Sequence, residues 1–210
     1  FSRDGKAWQQ VAVPHDWAIS GPFDKKWDLQ MVAIEQNGET EKTEKSGRSG
    51  ALPWIGEGMY KMNWTAPKGY KRAVLVFDGA MSQPVVSVNG KEAGKWAYGY
   101  NAFRIDITPF IQFGKSNLIE VHLNNVEESS RWYPGGGLYR PVSLELYGNE
   151  NFSTWDTFVR TLKADKQEAE VEVNALLEGK TGKSGKTVIA LFDEAGKKVA
   201  EQIVTGANPE

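Results

Sequence analysis

Ala73-Val74-Leu75-Val76-Phe77-Asp78-Gly79 and Val85-Val86-Ser87-Val88-Asn89-Gly90-Lys91 are the stretches that decide the fold. An unbroken apolar run closed by Asp-Gly reads as a core strand entering a turn, because a strand buried on both faces needs no polar alternation. Asn89-Gly90 supplies two residues that tolerate positive φ, as a type I′ hairpin turn requires, so Lys91 to Trp96 is expected to return as the paired strand. Working outward, Phe103, Ile105 and Ile107 alternate up to Thr108-Pro109, and Leu118 to Leu123 and Val142 to Tyr147 follow. On the other side, Met59 to Trp64 alternates as a half-buried strand does, and Val11 and Val13 mark a short strand ahead of Pro14. No long segment carries apolar residues at helical spacing. Strands this short bury one face each and need a second sheet over it, so the expected class is all-β, a β-sandwich.

The composition narrows the chemistry. The chain has 210 residues, with 25 Lys and Arg against 27 Asp and Glu, and this near-neutral balance offers no basic field for nucleic acid or anionic lipid. No apolar run approaches the roughly 18–20 residues that a membrane-spanning helix needs. With no Cys there is no disulfide framework, zinc–thiolate site or thiol nucleophile, and the two histidines, His15 and His122, cannot form a His-rich metal site. Cysteine usage leaves the compartment open. The opening residues Phe1-Ser2-Arg3-Asp4 show neither an initiator Met nor a signal peptide and suggest a mature or excised piece.

Two stretches change the rhythm. From Asp24 to Gly58 the chain is mostly polar, and so long a loop is usually functional or disordered. Near Gly148 to Asn151 the pattern shifts to amphipathic strands: Phe158 to Leu162, Ala169 to Leu177, Thr187 to Phe192 and Lys197 to Val204. An immunoglobulin-like sandwich takes about seven strands and roughly 100 residues. The four seen here imply a partial second domain over 151–210, after a first over 1–148.

Catalytic groups are scarce. The pairs Glu127-Glu128 and Asp193-Glu194 are adjacent, so on a strand or turn they point to different sides and read as solvated charges rather than as a glycosidase pair. No G-x-S-x-G elbow occurs, and Gly135-Gly136-Gly137 leads into a strand rather than a phosphate-holding helix. Two clusters stand out. Val13-Pro14-His15-Asp16-Trp17 ends an apolar strand in a donor and acceptor group, most simply a structural one whose polar atoms bond internally. Ser130 to Arg140 presents Arg131, Trp132 and Tyr133 on a turn made compact by glycines. Aromatic faces stack on sugar C–H surfaces and Arg answers hydroxyls, so a carbohydrate contact is plausible chemistry; packing against a neighbouring domain is the commoner use of such aromatics.

In order along the chain, Val13-Pro14-His15-Asp16-Trp17, Gly56-Glu57-Gly58-Met59-Tyr60-Lys61, Phe77-Asp78-Gly79-Ala80, Tyr98-Gly99-Tyr100 into Phe103 to Thr108, and Ser130-Arg131-Trp132-Tyr133 through Gly137 to Arg140 resemble glycoside hydrolase family 2. That family includes β-galactosidases, β-glucuronidases and β-mannosidases. The resemblance implies that residues 1–148 are its sugar-binding jelly-roll domain, lacking a first strand ahead of Phe1, and that 151–210 begin its immunoglobulin-like domain, entered through Trp155 to Val159. It implies that the catalytic glutamates lie on a (β/α)8 barrel elsewhere in the same polypeptide, which is this segment's expected partner. The segment is then expected to be inactive alone and to hold no cofactor, any Mg or Na being bound elsewhere in the parent. A β-linked carbohydrate, with a β-galactoside favoured, is the implied ligand, and a homo-oligomeric parent is compatible. The resemblance makes Arg131, Trp132 and Tyr133 barrel-facing. Asn124 and Asn125 stand where relatives often have Asp-Asn, and an amide there can bond a hydroxyl but brings no charge. An independent carbohydrate-binding module and a purely structural interface domain are the alternatives.

Overall fold

The structure is a computed structural model that describes residues 1–24, 54–126, 134–179 and 186–205. The chain divides into two compact units, Phe1–Leu146 and Tyr147–Glu210. In the first unit the strands are β1 (Gly56–Thr65), β2 (Arg72–Phe77), β3 (Val85–Val88), β4 (Lys91–Lys95), β5 (Phe103–Asp106), β6 (Ser116–Asn125) and β7 (Val142–Tyr147). They form a four-stranded sheet in the order β1-β6-β3-β4 and a three-stranded sheet in the order β5-β2-β7. Tyr60, Val86, Val88, Ile119, Val121 and Leu123 from the first sheet share one buried cluster with Ala73, Leu75, Phe77, Phe103 and Ile105 from the second. The fold is all-β, and this unit is a β-sandwich with its core between the two sheets.

Local chemistry explains the joints. Asn89 and Gly90 both have positive φ (52° and 76°), as the β3–β4 hairpin demands. Asn89 is also tied down from its side chain: Nδ2 donates to Phe110 O (2.8 Å) and to Asn117 Oδ1 (2.9 Å), while Leu118 N donates to Asn89 Oδ1 (3.0 Å). Buried Asn117 in turn accepts from Gln112 N and donates to Gln112 O and Lys115 O. On the outer face of the second sheet, Arg104 reaches over Val76 to an ion pair with Glu145.

Two local expectations differ from the structure. Val11 and Val13 lie in irregular chain rather than a strand. Pro14 has no N–H to continue a ladder, and after Gln9 the next backbone pairing lies beyond it, His15 N to Leu138 O (2.7 Å) and Trp17 N to Gly136 O (3.0 Å). Of the polar stretch from Asp24 to Gly58, Gly56 to Gly58 belong to β1, and residues 25–53 lie outside the described residues.

The second unit contains two antiparallel pairs, β8 (Glu150–Ala164) with β9 (Ala169–Gly179), and β10 (Lys186–Phe192) with β11 (Lys198–Thr205). Strand β8 is longer than its apolar core Phe158 to Leu162 implies, because its register with β9 shifts between Phe152 and Thr157 and between Thr161 and Lys163. Such bulges let one strand continue through a bend.

Candidate functional site

The chain from Pro134 to Leu138 runs back beneath His15-Asp16-Trp17, and the contact is made of groups that need each other. Asp16 Oδ1 accepts from Ala18 N (2.9 Å) and from Gly136 N (3.0 Å). His15 Nδ1 and the Tyr60 hydroxyl lie 2.7 Å apart, and Leu138 N points at the same hydroxyl at 3.4 Å. Burial pushes the Tyr60 phenol well above its ordinary value, against the opposing pull of the Leu138 N–H, so Tyr60 stays a neutral hydroxyl. Burial also lowers His15, aided by the chain's amino group and Arg3 and opposed by Asp16.

Glycine is required here for space. A Cβ at Gly136 would sit 2.3 Å from Trp17 Nε1, one at Gly58 2.3 Å from Trp17 Cζ3, and one at Gly137 2.3 Å from the Tyr60 hydroxyl. The indole of Trp17 is completely buried, with Phe1, Tyr60 and Trp54 around it.

Asn125 ends β6 at the same glycine run. Its side chain is buried, and Nδ2 donates to Gly135 O at 3.1 Å. Among the described residues its Oδ1, which is buried, has no hydrogen-bond partner, and neither has Trp17 Nε1.

The structure thus brings Asn125, His15, Asp16 and Trp17 to one place. Asn124 is not among them. Successive strand residues face opposite sides, and Asn124 shares the outer side of β6 with His122, whose Nε2 lies 3.1 Å from Glu57 Oε2. The backbone of Asn124 is nonetheless fixed, its N donating to Ser82 O at 2.9 Å and its O accepting from Ser82 Oγ. Arg131, Trp132 and Tyr133 lie outside the described residues. Sequence pattern missed Tyr60, which reads only as a strand aromatic. The signal that could find it is its phase, since it shares the inward side of β1 with Gly58, where only a glycine leaves room for a neighbouring indole. Among the described residues, no three of His, Asp and Glu gather as metal ligands.

Comparison with known proteins places this geometry. No family model matches the chain. It is 31% identical over 204 residues to the β-galactosidase BoGH2A of Bacteroides ovatus, covering 95% of this chain and 22% of that protein. It is 31% identical over 200 residues to a putative β-glucuronidase of Formosa agariphila, covering 94% of this chain and 18% of that protein. Among solved structures it superposes on a glycosyl hydrolase family 2 member from Bacteroides cellulosilyticus with a TM-score of 0.75 and 31% identity, over 99% of this chain and 26% of that one. The chain therefore spans about a fifth of the length of these two curated relatives. With that share understood, the β-sandwich and its ordered motifs identify the chain as belonging to glycoside hydrolase family 2.

Proposed function

We propose that this stretch is the ancillary, non-catalytic N-terminal part of a family 2 exo-β-glycosidase, a β-galactosidase in the first instance, which braces a catalytic barrel and lends loops to its rim. The domain assignment belongs to the same proposal: residues 1–148 form the sugar-binding jelly roll and residues 151–210 part of an immunoglobulin-like sandwich. The observation that carries it is the extent of the match, 31% identity over 95% of this chain but only 22% of a β-galactosidase. The 31% identity over nearly the whole chain to a β-galactosidase, and equally to a putative β-glucuronidase, supports a β-glycoside as the parent's substrate.

Two measurements test this. The purified 210-residue chain should not hydrolyse 4-nitrophenyl β-galactoside, and turnover by it would overturn the non-catalytic assignment. In the full-length enzyme, Trp132→Ala should raise KM for the same substrate or lower the melting temperature; unchanged kinetics and melting remove the rim role.

A further inference from the structure

Antiparallel pairing gathers loops at one end of the first unit. Val85 lies opposite both Lys95 and His122, and Phe77 opposite Phe103, so the β2–β3 and β4–β5 loops leave the sandwich at the end where β6 runs on toward the glycine turn. Met81 and Gly137 join that end by two backbone bonds, 2.9 and 2.8 Å long. The β4–β5 loop, residues 96–102, is held from its neighbours. The Tyr139 hydroxyl donates to Gly99 O (3.0 Å), Arg140 Nη1 donates to Tyr100 O (3.0 Å) and to Asp78 O (3.2 Å), and Trp96 N donates to Pro84 O (3.0 Å). Gly99 packs so closely that a Cβ there would sit 2.6 Å from Met81 Sδ.

What this fixed loop shows to solvent is aromatic. Trp96 is 41% exposed, Tyr98 57% and Tyr100 42%. Trp96 lies within 8° of parallel to Phe103 at 5.6 Å, and Phe103 in turn stacks on buried Phe77 at 4.6 Å, so the indole is oriented from beneath. The rings of Tyr98 and Tyr100 brace each other at 5.6 Å, and a cleft of about 590 Å³ beside Trp96 and Tyr98 leaves room for a partner's side chains. Rigid Trp and Tyr side chains lose little freedom on docking and dominate the binding energy of protein interfaces. Size then selects the kind of protein. With about 150–250 Å² for a whole aromatic side chain, the exposed parts of these three offer on the order of 300 Å². An interface that holds two separate proteins together takes about 800 Å² from each. The loop is too small to hold a second copy or an independent partner. It is large enough for a neighbouring domain on the same polypeptide, because a linker already supplies an effective concentration of about millimolar.

We infer that the β4–β5 loop is a docking surface for another domain of the same polypeptide, with Trp96, Tyr98 and Tyr100 as anchors and Tyr139 and Arg140 as the positioning residues beneath them. The complementary face offers apolar side chains to the rings and hydrogen-bond acceptors to the two phenol hydroxyls. The inference rests on the proposed reading that this chain is one part of a larger enzyme, since a match to about a fifth of its relatives leaves most of such a protein outside it.

Hydroxyl-radical footprinting of the 210-residue chain and of the full-length enzyme reads the exposure of these side chains directly. Oxidation of Trp96, Tyr98 and Tyr100 should fall severalfold in the full-length enzyme, while Tyr70, 39% exposed at the opposite end between β1 and β2, keeps the rate it has in the chain. Tyr98→Ala should lower the melting temperature of the full-length enzyme by about 2–4 °C and leave that of the chain unchanged. Equal oxidation of Tyr98 and Tyr100 in the two proteins overturns the inference, as does a melting temperature lowered equally in both. Dimerisation of the chain that Tyr98→Ala abolishes would assign the loop to a second copy and overturn it as well. The footprint does not depend on turnover. Protection in the full-length enzyme together with hydrolysis by the isolated chain would remove the non-catalytic reading and keep the docking surface; an unprotected loop with an inactive chain would do the reverse.

Discussion

Tyr60 and Gly137 show how single atoms hold the candidate site. The Tyr60 hydroxyl faces His15 Nδ1, the His15 carbonyl and Leu138 N–H, so Tyr60→Phe strands partners inside the core. The expected cost is about 1–2 kcal/mol, read as a lower urea midpoint at unchanged slope. Gly137→Ala is expected to cost at least about 2 kcal/mol in the same assay, since its φ of 95° is foreign to alanine and its Cβ would overlap the Tyr60 oxygen. His15 adds a pH signature. The folded state disfavours its proton while the unfolded chain takes one up near pH 6.5, so this contribution is fully present above about pH 6.5 and falls away on acidification. The melting temperature should therefore drop more steeply below that pH in the wild type than in His15→Gln. The sequence marks His15-Asp16-Trp17 as an unusual group, but its partners are 45 residues away at Tyr60 and 120 away at Gly136, and residue spacing carries no information about those distances.

At the scale of elements, legibility follows the source of each strand's stability. The runs Val85–Val88 and Val142–Tyr147 are bounded in the structure as the sequence bounds them, because turn residues fix their ends. Strand β6 is longer than Leu118 to Leu123: the polar Ser116, Asn117, Asn124 and Asn125 extend it as they pair with β1, which hydropathy cannot register. Val11 and Val13 are the converse, apolar residues whose backbone has no ladder to join. The Asn89–Asn117 link belongs at this scale, since it ties the β3–β4 turn to the start of β6 and to the chain before it. Asn117→Leu removes bonds to Asn89, Gln112 and Lys115 together and is expected to cost about 2–3 kcal/mol in urea unfolding. The strand pattern was thus readable from residues, whereas the buried amide bonding that sets where strands start was not.

For the whole molecule, the two units differ in what protects them. Every apolar side chain of the shared buried cluster belongs to the first unit, and the second unit's one buried side chain among the described residues is Ser153. Phe158, Val159, Leu176, Val188 and Ile203 are exposed there, and Trp155 is 78% exposed. Amides of β2, β3 and β6 should accordingly exchange with deuterium far more slowly than those of β8 to β11, and equal protection across the two units would contradict this division. The return of Gly136 to Leu138 beneath His15 to Trp17 also bears on synthesis. At about 5–20 residues per second, the strand that covers Trp17 leaves the ribosome on the order of ten seconds after it. Phe1, Trp54 and Tyr60 are made earlier, so through that interval only the side of the indole that the glycine turn closes stays open, and its full enclosure waits on the last part of the first unit.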